Sequence, residues 1–187
     1  DLLVLSPVIP IFKPFARKAQ DMGIEVIGEI ELGYRYCHRG AKFVCISGTN
    51  GKTTTSTLVY ELLAKTFPGK THLCGNIGIP LCETVLENGL MEEGGHYIAL
   101  EISNFQLVNI DRFRPEAAVI LNLTPDHVDF MGSLDAYYKS KTEVYRNMSG
   151  SDLFLLNADD PVLAEYTAKY PVNCTVRTFS TDRSDTD

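Results

Sequence analysis

Short, dense apolar runs recur along this chain, and between them the apolar positions spread to every third or fourth residue. Runs of the first kind read as buried strands and stretches of the second as amphipathic helices. Near the start, the pattern predicts a strand over 2–5, a helix over 14–22 with proline in its first turn and Gly23 as its stop, a strand over 24–27 and a helix over 29–36. Cys37-His-Arg-Gly40 reads as a linker. A piece this small cannot bury a core of its own, so residues 1–40 are expected either to end a preceding domain or to pack on the longer segment after them. From Lys42 the alternation is regular. It predicts strand 42–47, helix 52–66 with Leu58, Val59, Leu62 and Leu63 on one side, strand 71–74, helix 80–88, strands 96–101 and 116–123, helix 133–147, strand 152–156, helix 160–169 and strand 175–179. Alternating strands and helices predict an α/β fold, a mostly parallel sheet flanked by helices, over residues 41–187. The polar tail from Ser180 to Asp187 is expected to be mobile.

Composition narrows the function classes. With 187 residues there is room for one domain, or one and part of another, and the opening at Asp1 directly into a strand reads as a segment of something longer. A net charge of −7 and the lack of a basic stripe argue against a nonspecific nucleic-acid binder, which would neutralise phosphates with clustered Lys and Arg. The longest apolar run, around 117–123, falls far short of the ~20 residues of a membrane span. The five cysteines include no Cys-x-x-Cys pair, and Cys45 and Cys74 sit in apolar runs where thiols pack as small hydrophobes; a reducing cytoplasm is the simplest setting. Asn122-Leu-Thr124, Asn147-Met-Ser149 and Asn173-Cys-Thr175 match the glycosylation pattern only by chance on this reading.

The strongest local signal is Gly48-Thr49-Asn50-Gly51-Lys52-Thr53-Thr54, between the first strand and first helix of the regular stretch. Glycines at 48 and 51 remove Cβ atoms that would keep a polyphosphate at a distance, and the unpaired N–H groups of a helix start attract its charge. Lys52 adds a point charge, and the Thr53 hydroxyl is placed to hold the magnesium that accompanies ATP. Ile46 stands where the usual phosphate loop has glycine, which makes this a shortened variant.

Ligands of open α/β sheets gather at the carboxyl ends of strands, and two further strand ends carry chemistry. Glu101 closes an apolar strand, where a carboxylate needs a cation or hydrogen bonds to offset its burial; magnesium beside a triphosphate would do so. His127 lies in Thr124-Pro-Asp-His-Val-Asp129, beyond the next strand. On the following helix, Leu134, Tyr137, Tyr138, Val144, Tyr145 and Met148 share one face with Lys141 in their midst, whereas Lys139 points about 200° away at ~100° per residue. An apolar-face lysine either snorkels to water or is desolvated into a neutral amine able to act as a nucleophile or take up carbon dioxide, and the sequence leaves both open.

These motifs, with Gly75-Asn-Ile-Gly78, Glu101-Ile-Ser-Asn-Phe-Gln-Leu107, Asn122 to Asp129 and Asn157-Ala-Asp-Asp-Pro161, resemble those of the Mur ligases of peptidoglycan synthesis. Ser6-Pro-Val-Ile-Pro10, Ile27-Gly-Glu-Ile-Glu-Leu32 and the Ser103 to Leu107 stretch are most similar to the members that add D-glutamate. The resemblance implies a phosphate-loop central domain over 41–187, with 1–40 as the end of a UDP-binding domain. It implies that ATP phosphorylates the carboxylate of UDP-N-acetylmuramoyl-L-alanine and that the D-glutamate amine attacks the acyl phosphate, giving an amide, ADP and phosphate. It also assigns roles. Gly48 to Thr54 hold ATP, Lys52 the phosphates, and Thr53 and Glu101 a first magnesium. His127 and a carbamylated Lys141 serve a second; Asn76 and Ser103 face the UDP substrate, and Asp126 supports the metal site. Val8 and Asn104 replace the family's usual glycine and serine. The family has three domains, so this segment alone is expected not to turn over. The competing readings are another ligase of the family, including the folylpolyglutamate type, or a phosphate-loop module without ligase chemistry.

Overall fold

The structure, a computed structural model, describes residues 1–9, 11–126 and 131–182. His127 and the last five residues of the polar tail lie outside the described residues.

The opening residues form β1 (Leu2–Leu5), α1 (Pro14–Asp21), β2 (Glu25–Gly28) and α2 (Glu29–Tyr36), with β1 and β2 paired in parallel as a two-stranded sheet. The larger sheet holds β3 (Lys42–Ser47), β4 (Thr71–Gly75), β5 (Tyr97–Glu101), β6 (Ala117–Ile120), β7 (Gly150–Asn157) and β8 (Cys174–Phe179) in the order β4-β5-β3-β6-β7-β8. Every neighbouring pair is parallel, as the alternation of elements predicts. Between these strands run α3 (Lys52–Thr66), α4 (Leu81–Glu87), the short α5 (Asn104–Leu107), α6 (Leu134–Thr142) and α7 (Pro161–Lys169). The core is the sheet's own apolar run, with Phe43, Cys45, Ile98, Leu100, Ile120 and Phe154 all buried. Strand β3 stands between β5 and β6, so the chain leaves it toward one edge and later crosses to the other side. The crevice at its carboxyl end is where such a topology places a ligand.

Four expectations need correcting. Leu58 and Leu62 are 59% and 66% exposed, so α3 does not turn them to the sheet; its buried position is Ser56, with Val59 and Leu63 half-buried beside it. The helix expected over 133–147 is α only to Thr142 and continues as a 3₁₀ turn over Glu143–Tyr145, a tighter winding that keeps Val144 and Tyr145 buried. Strand 116–123 ends at Ile120, after which the chain bends so that Leu121 donates to the Ser47 carbonyl and the Asn122 carbonyl accepts from Thr49. Helix α5 is not signalled by the apolar pattern: Ser103 opens it, and the Gln106 side chain accepts from both the Ser103 amide (2.9 Å) and its hydroxyl (3.0 Å).

The first forty residues pack on the larger unit. A Cβ at Gly33 would stand 2.7 Å from Leu81 Cγ, so α2 lies against α4 closer than any side chain at 33 would allow. Glu31, fully buried, accepts from the backbone amides of Asp111, Arg112 and Phe113 at 2.9–3.0 Å and from Arg35 Nε at 2.6 Å. These bonds hold its carboxyl below the ordinary carboxylate range although burial pushes the other way.

Candidate active site

The phosphate loop emerges from the middle of the sheet. Gly51, in the left-handed region at φ 82°, precedes Lys52, and no side chain caps the start of α3, which leaves its first amides facing the cleft. Gly48 meets a second constraint besides the one the sequence suggests. A Cβ there would meet Leu121, at 3.1 Å from its Cβ and 3.2 Å from its amide nitrogen, so this glycine serves packing against the end of β6. The loop is pinned from that side as well. Asn50 and Asn122 exchange bonds of 2.9 and 3.1 Å between side chain and backbone, and the Thr49 hydroxyl meets both the amide and the carbonyl of Thr124 at 3.0 and 3.1 Å.

Across a cleft of about 370 Å³ lined by residues 49–54, Asn76 and Glu101, the carboxylate of Glu101 faces the start of α3. It is only 2% exposed, and it accepts from the Thr53 hydroxyl at 2.9 Å and from the Asn76 amide at 2.8 Å. Gly75 makes this approach possible, because a Cβ on it would lie 2.3 Å from the Glu101 carbonyl oxygen. Thr53 and Glu101 therefore meet as the sequence expects. Asn76 joins them by bonding Glu101, while Ser103 is buried and turned toward Gln106. Among the described residues no group of three or more His, Cys, Asp or Glu gathers to hold a metal. The Thr53–Glu101 pair still suits magnesium, which keeps much of its water and takes one or two protein oxygens alongside phosphate.

Lys141 does not snorkel. It is 1% exposed, its amine donates to the Gly48 carbonyl at 3.0 Å, and it lies 5.0 Å from the centroid of the Tyr137 ring. Lys52 donates to the same carbonyl and to that of Thr49, each at 2.9 Å. Burial first, then the Lys52 charge, pull Lys141 down to about 7, opposed in part by Asp126. Burial removes the snorkelling alternative left open by the helix pattern, and the amine loses its proton close to neutral pH.

Sequence reasoning missed Tyr137 as a site residue, although it reaches Thr49, and missed Asn122 and Thr124 as anchors of the loop. Their signal was present in Asn122-Leu-Thr124 lying just past a strand end. Asp160, in the Asn157 to Pro161 motif, caps α7 through Leu163 and holds the Leu123 amide at 2.7 Å. All five cysteines are free, and burial pushes Cys74 up to about 12. No helix among the described residues is long and apolar enough to cross a membrane.

Comparison with known proteins adds three findings. The Mur ligase middle domain matches residues 46–187. A UDP-N-acetylmuramoylalanine–D-glutamate ligase from Caldicellulosiruptor saccharolyticus is 41% identical over 100% of this chain and 39% of its own length. In fold, the chain superposes on the UDP-N-acetylmuramate:L-alanyl-gamma-D-glutamyl-meso-diaminopimelate ligase from Neisseria meningitides with a TM-score of 0.65 at 18% identity, covering 96% of this chain and 58% of that one. The chain spans little more than a third of the length of the curated relatives it matches.

Proposed function

Because the chain belongs to the Mur ligase family through its middle domain, we propose that it is the nucleotide-binding part of a ligase that adds D-glutamate to UDP-N-acetylmuramoyl-L-alanine with consumption of ATP. In this reading residues 41–187 are the central domain and residues 1–40 the end of the UDP-binding domain, and the segment alone releases no phosphate. The enzyme works in the cytoplasm on peptidoglycan precursors, and so serves cell-wall growth and division. What carries the reading is the meeting of the Gly48 to Thr54 loop, the Glu101 carboxylate and the buried Lys141 amine at one end of the sheet.

The roles follow from the chemistry of each group. Amides at the start of α3 and the Lys52 ammonium bind the ATP phosphates. Thr53 and Glu101 would hold one magnesium, whose charge offsets the negative charge that develops on the phosphoryl oxygens. The neutral fraction of Lys141, about half near pH 7, would take up carbon dioxide by forming an N–C bond and losing a proton, and as a carbamate would present oxygens to a second magnesium with His127. Asp126, which acts electrostatically on Lys141, supports that side of the site. Asn76 and Ser103 would bound the UDP substrate.

The test is an assay of phosphate release by the complete polypeptide with UDP-N-acetylmuramoyl-L-alanine and ATP. D-glutamate should support turnover, while meso-diaminopimelate, L-lysine and folate substrates should not. Turnover with one of those instead would reassign the enzyme within the family, and nucleotide binding without any turnover would reduce it to a binding module.

A further inference from the structure

Lys141 and Tyr137 stand one helical turn apart on α6, and both reach the phosphate loop at adjacent residues. The Lys141 amine donates to the Gly48 carbonyl at 3.0 Å, and the Tyr137 hydroxyl lies 3.2 Å from the Thr49 hydroxyl. Tyr137 is 1% exposed, and its ring faces the Lys141 amine. The hydroxyl pair can run in either direction. Thr49 has a single hydroxyl proton and contacts the Thr124 carbonyl, which can only accept, and the Thr124 amide, which can only donate. With its proton on that carbonyl, Thr49 has a lone pair left to accept from Tyr137; with its proton turned to Tyr137, the same contact holds in the other direction.

We propose that Tyr137 is a positioning residue for the nucleotide: its hydroxyl fixes the phosphate loop through Thr49 while its ring fixes the Lys141 amine beneath the same loop. The inference rests on the nucleotide-binding reading of the site for its kinetic consequence, but its structural half stands apart from that reading. One rigid aromatic ring sets the distance between the loop that holds ATP and the amine on the helix below. The Thr49 hydroxyl in turn joins the loop to the segment after β6, so three pieces of chain share one hub.

Tyr137→Phe keeps the ring and removes only the hydroxyl; Tyr137→Leu removes both. Backbone amide hydrogen exchange in the 187-residue chain should quicken about tenfold at Thr49 and Asn50 in Tyr137→Phe, with β3 and β5 unchanged. The control Tyr138→Phe, on the same helix, should leave loop exchange as it was. In the complete ligase, Tyr137→Phe should raise the KM for ATP about fivefold to tenfold, the loss of one buried hydrogen bond, with kcat nearly kept. Tyr137→Leu should lower kcat as well, because Lys141 loses its support. Unchanged exchange at Thr49 and Asn50 in Tyr137→Phe overturns the proposal. Quickened exchange with an unaltered KM for ATP overturns its functional half. A wild-type protein without ATP-dependent turnover defeats the ligase reading instead, and the exchange result still decides whether Tyr137 positions the loop.

Discussion

Glu31 and Lys141 are buried almost equally, at 0% and 1% exposure, yet the molecule treats them in opposite ways. Around Glu31 three backbone amides and a guanidinium converge, and the carboxylate keeps its charge at lower pH than usual. Around Lys141 there is one carbonyl, an aromatic face, the opposing charge of Asp126 and a second ammonium competing for the same oxygen, and the amine gives up its proton far more readily than usual. The first arrangement ties α2 to the segment after α5 and spends every contact on permanence. The second leaves the amine short of partners, the pattern that marks a candidate functional group. Burial of a charge thus carries no functional message until its partners are counted.

The contrast can be broken by experiment, and the largest effect should come from Glu31. Glu31→Ala leaves three amides and part of Arg35 without an acceptor in a closed site, and should destabilise the fold by about 3–5 kcal/mol in urea titration. A loss under ~1 kcal/mol would mean that the first forty residues are only loosely attached. Lys141→Ala should do the reverse: the cavity it leaves offsets the desolvation it relieves, so the urea midpoint near pH 7 stays nearly unchanged. It should cut phosphate release by the complete ligase about 10²–10³-fold, with partial recovery on adding short carboxylates.

The third effect is smaller and its sign depends on pH. Unfolded, the Lys141 amine holds its proton up to 10.5, whereas folded it releases it near about 7. Between those values the unfolded chain binds more protons, so the stability of the native protein rises with pH. The cost of burying this amine is full below pH 7 and vanishes above 10.5. Lys141→Met should therefore raise stability by about 1–3 kcal/mol at pH 6–7, with the gain shrinking as pH climbs toward 10. A variant less stable than the native chain at pH 6 would show that the Gly48 bond outweighs desolvation.

How far this could be read from sequence depended on the range of each contact. The phosphate loop was legible because strand, glycine turn and Gly-Lys-Thr are contiguous. The burial of Glu101 was legible because a carboxylate follows Ile98-Ala-Leu100, and the place of Lys141 among tyrosines because helical spacing put it there, though whether its amine reached water was not. The bonds from residue 49 to 124 and 137 were not, since no local pattern announces a hydroxyl meeting a residue some eighty positions away. Glu31 gave no warning for the same reason: the amides that bond it lie at 111–113. On α3 the apolar count misled, because Leu58 and Leu62 are more conspicuous than Ser56, which is the residue small enough to sit on the sheet.

Asp160 gives its two oxygens to different masters, one to an amide in the first turn of α7 and the other to Leu123, which adjoins the residues that pin the Gly48 to Thr54 loop. Sequence drift along that outer helix is therefore not independent of the pocket. A change in its first turn acts as a lever on the residues that pin Thr49, so a mutation remote from the cleft can still alter how firmly the Gly48 to Thr54 loop is held.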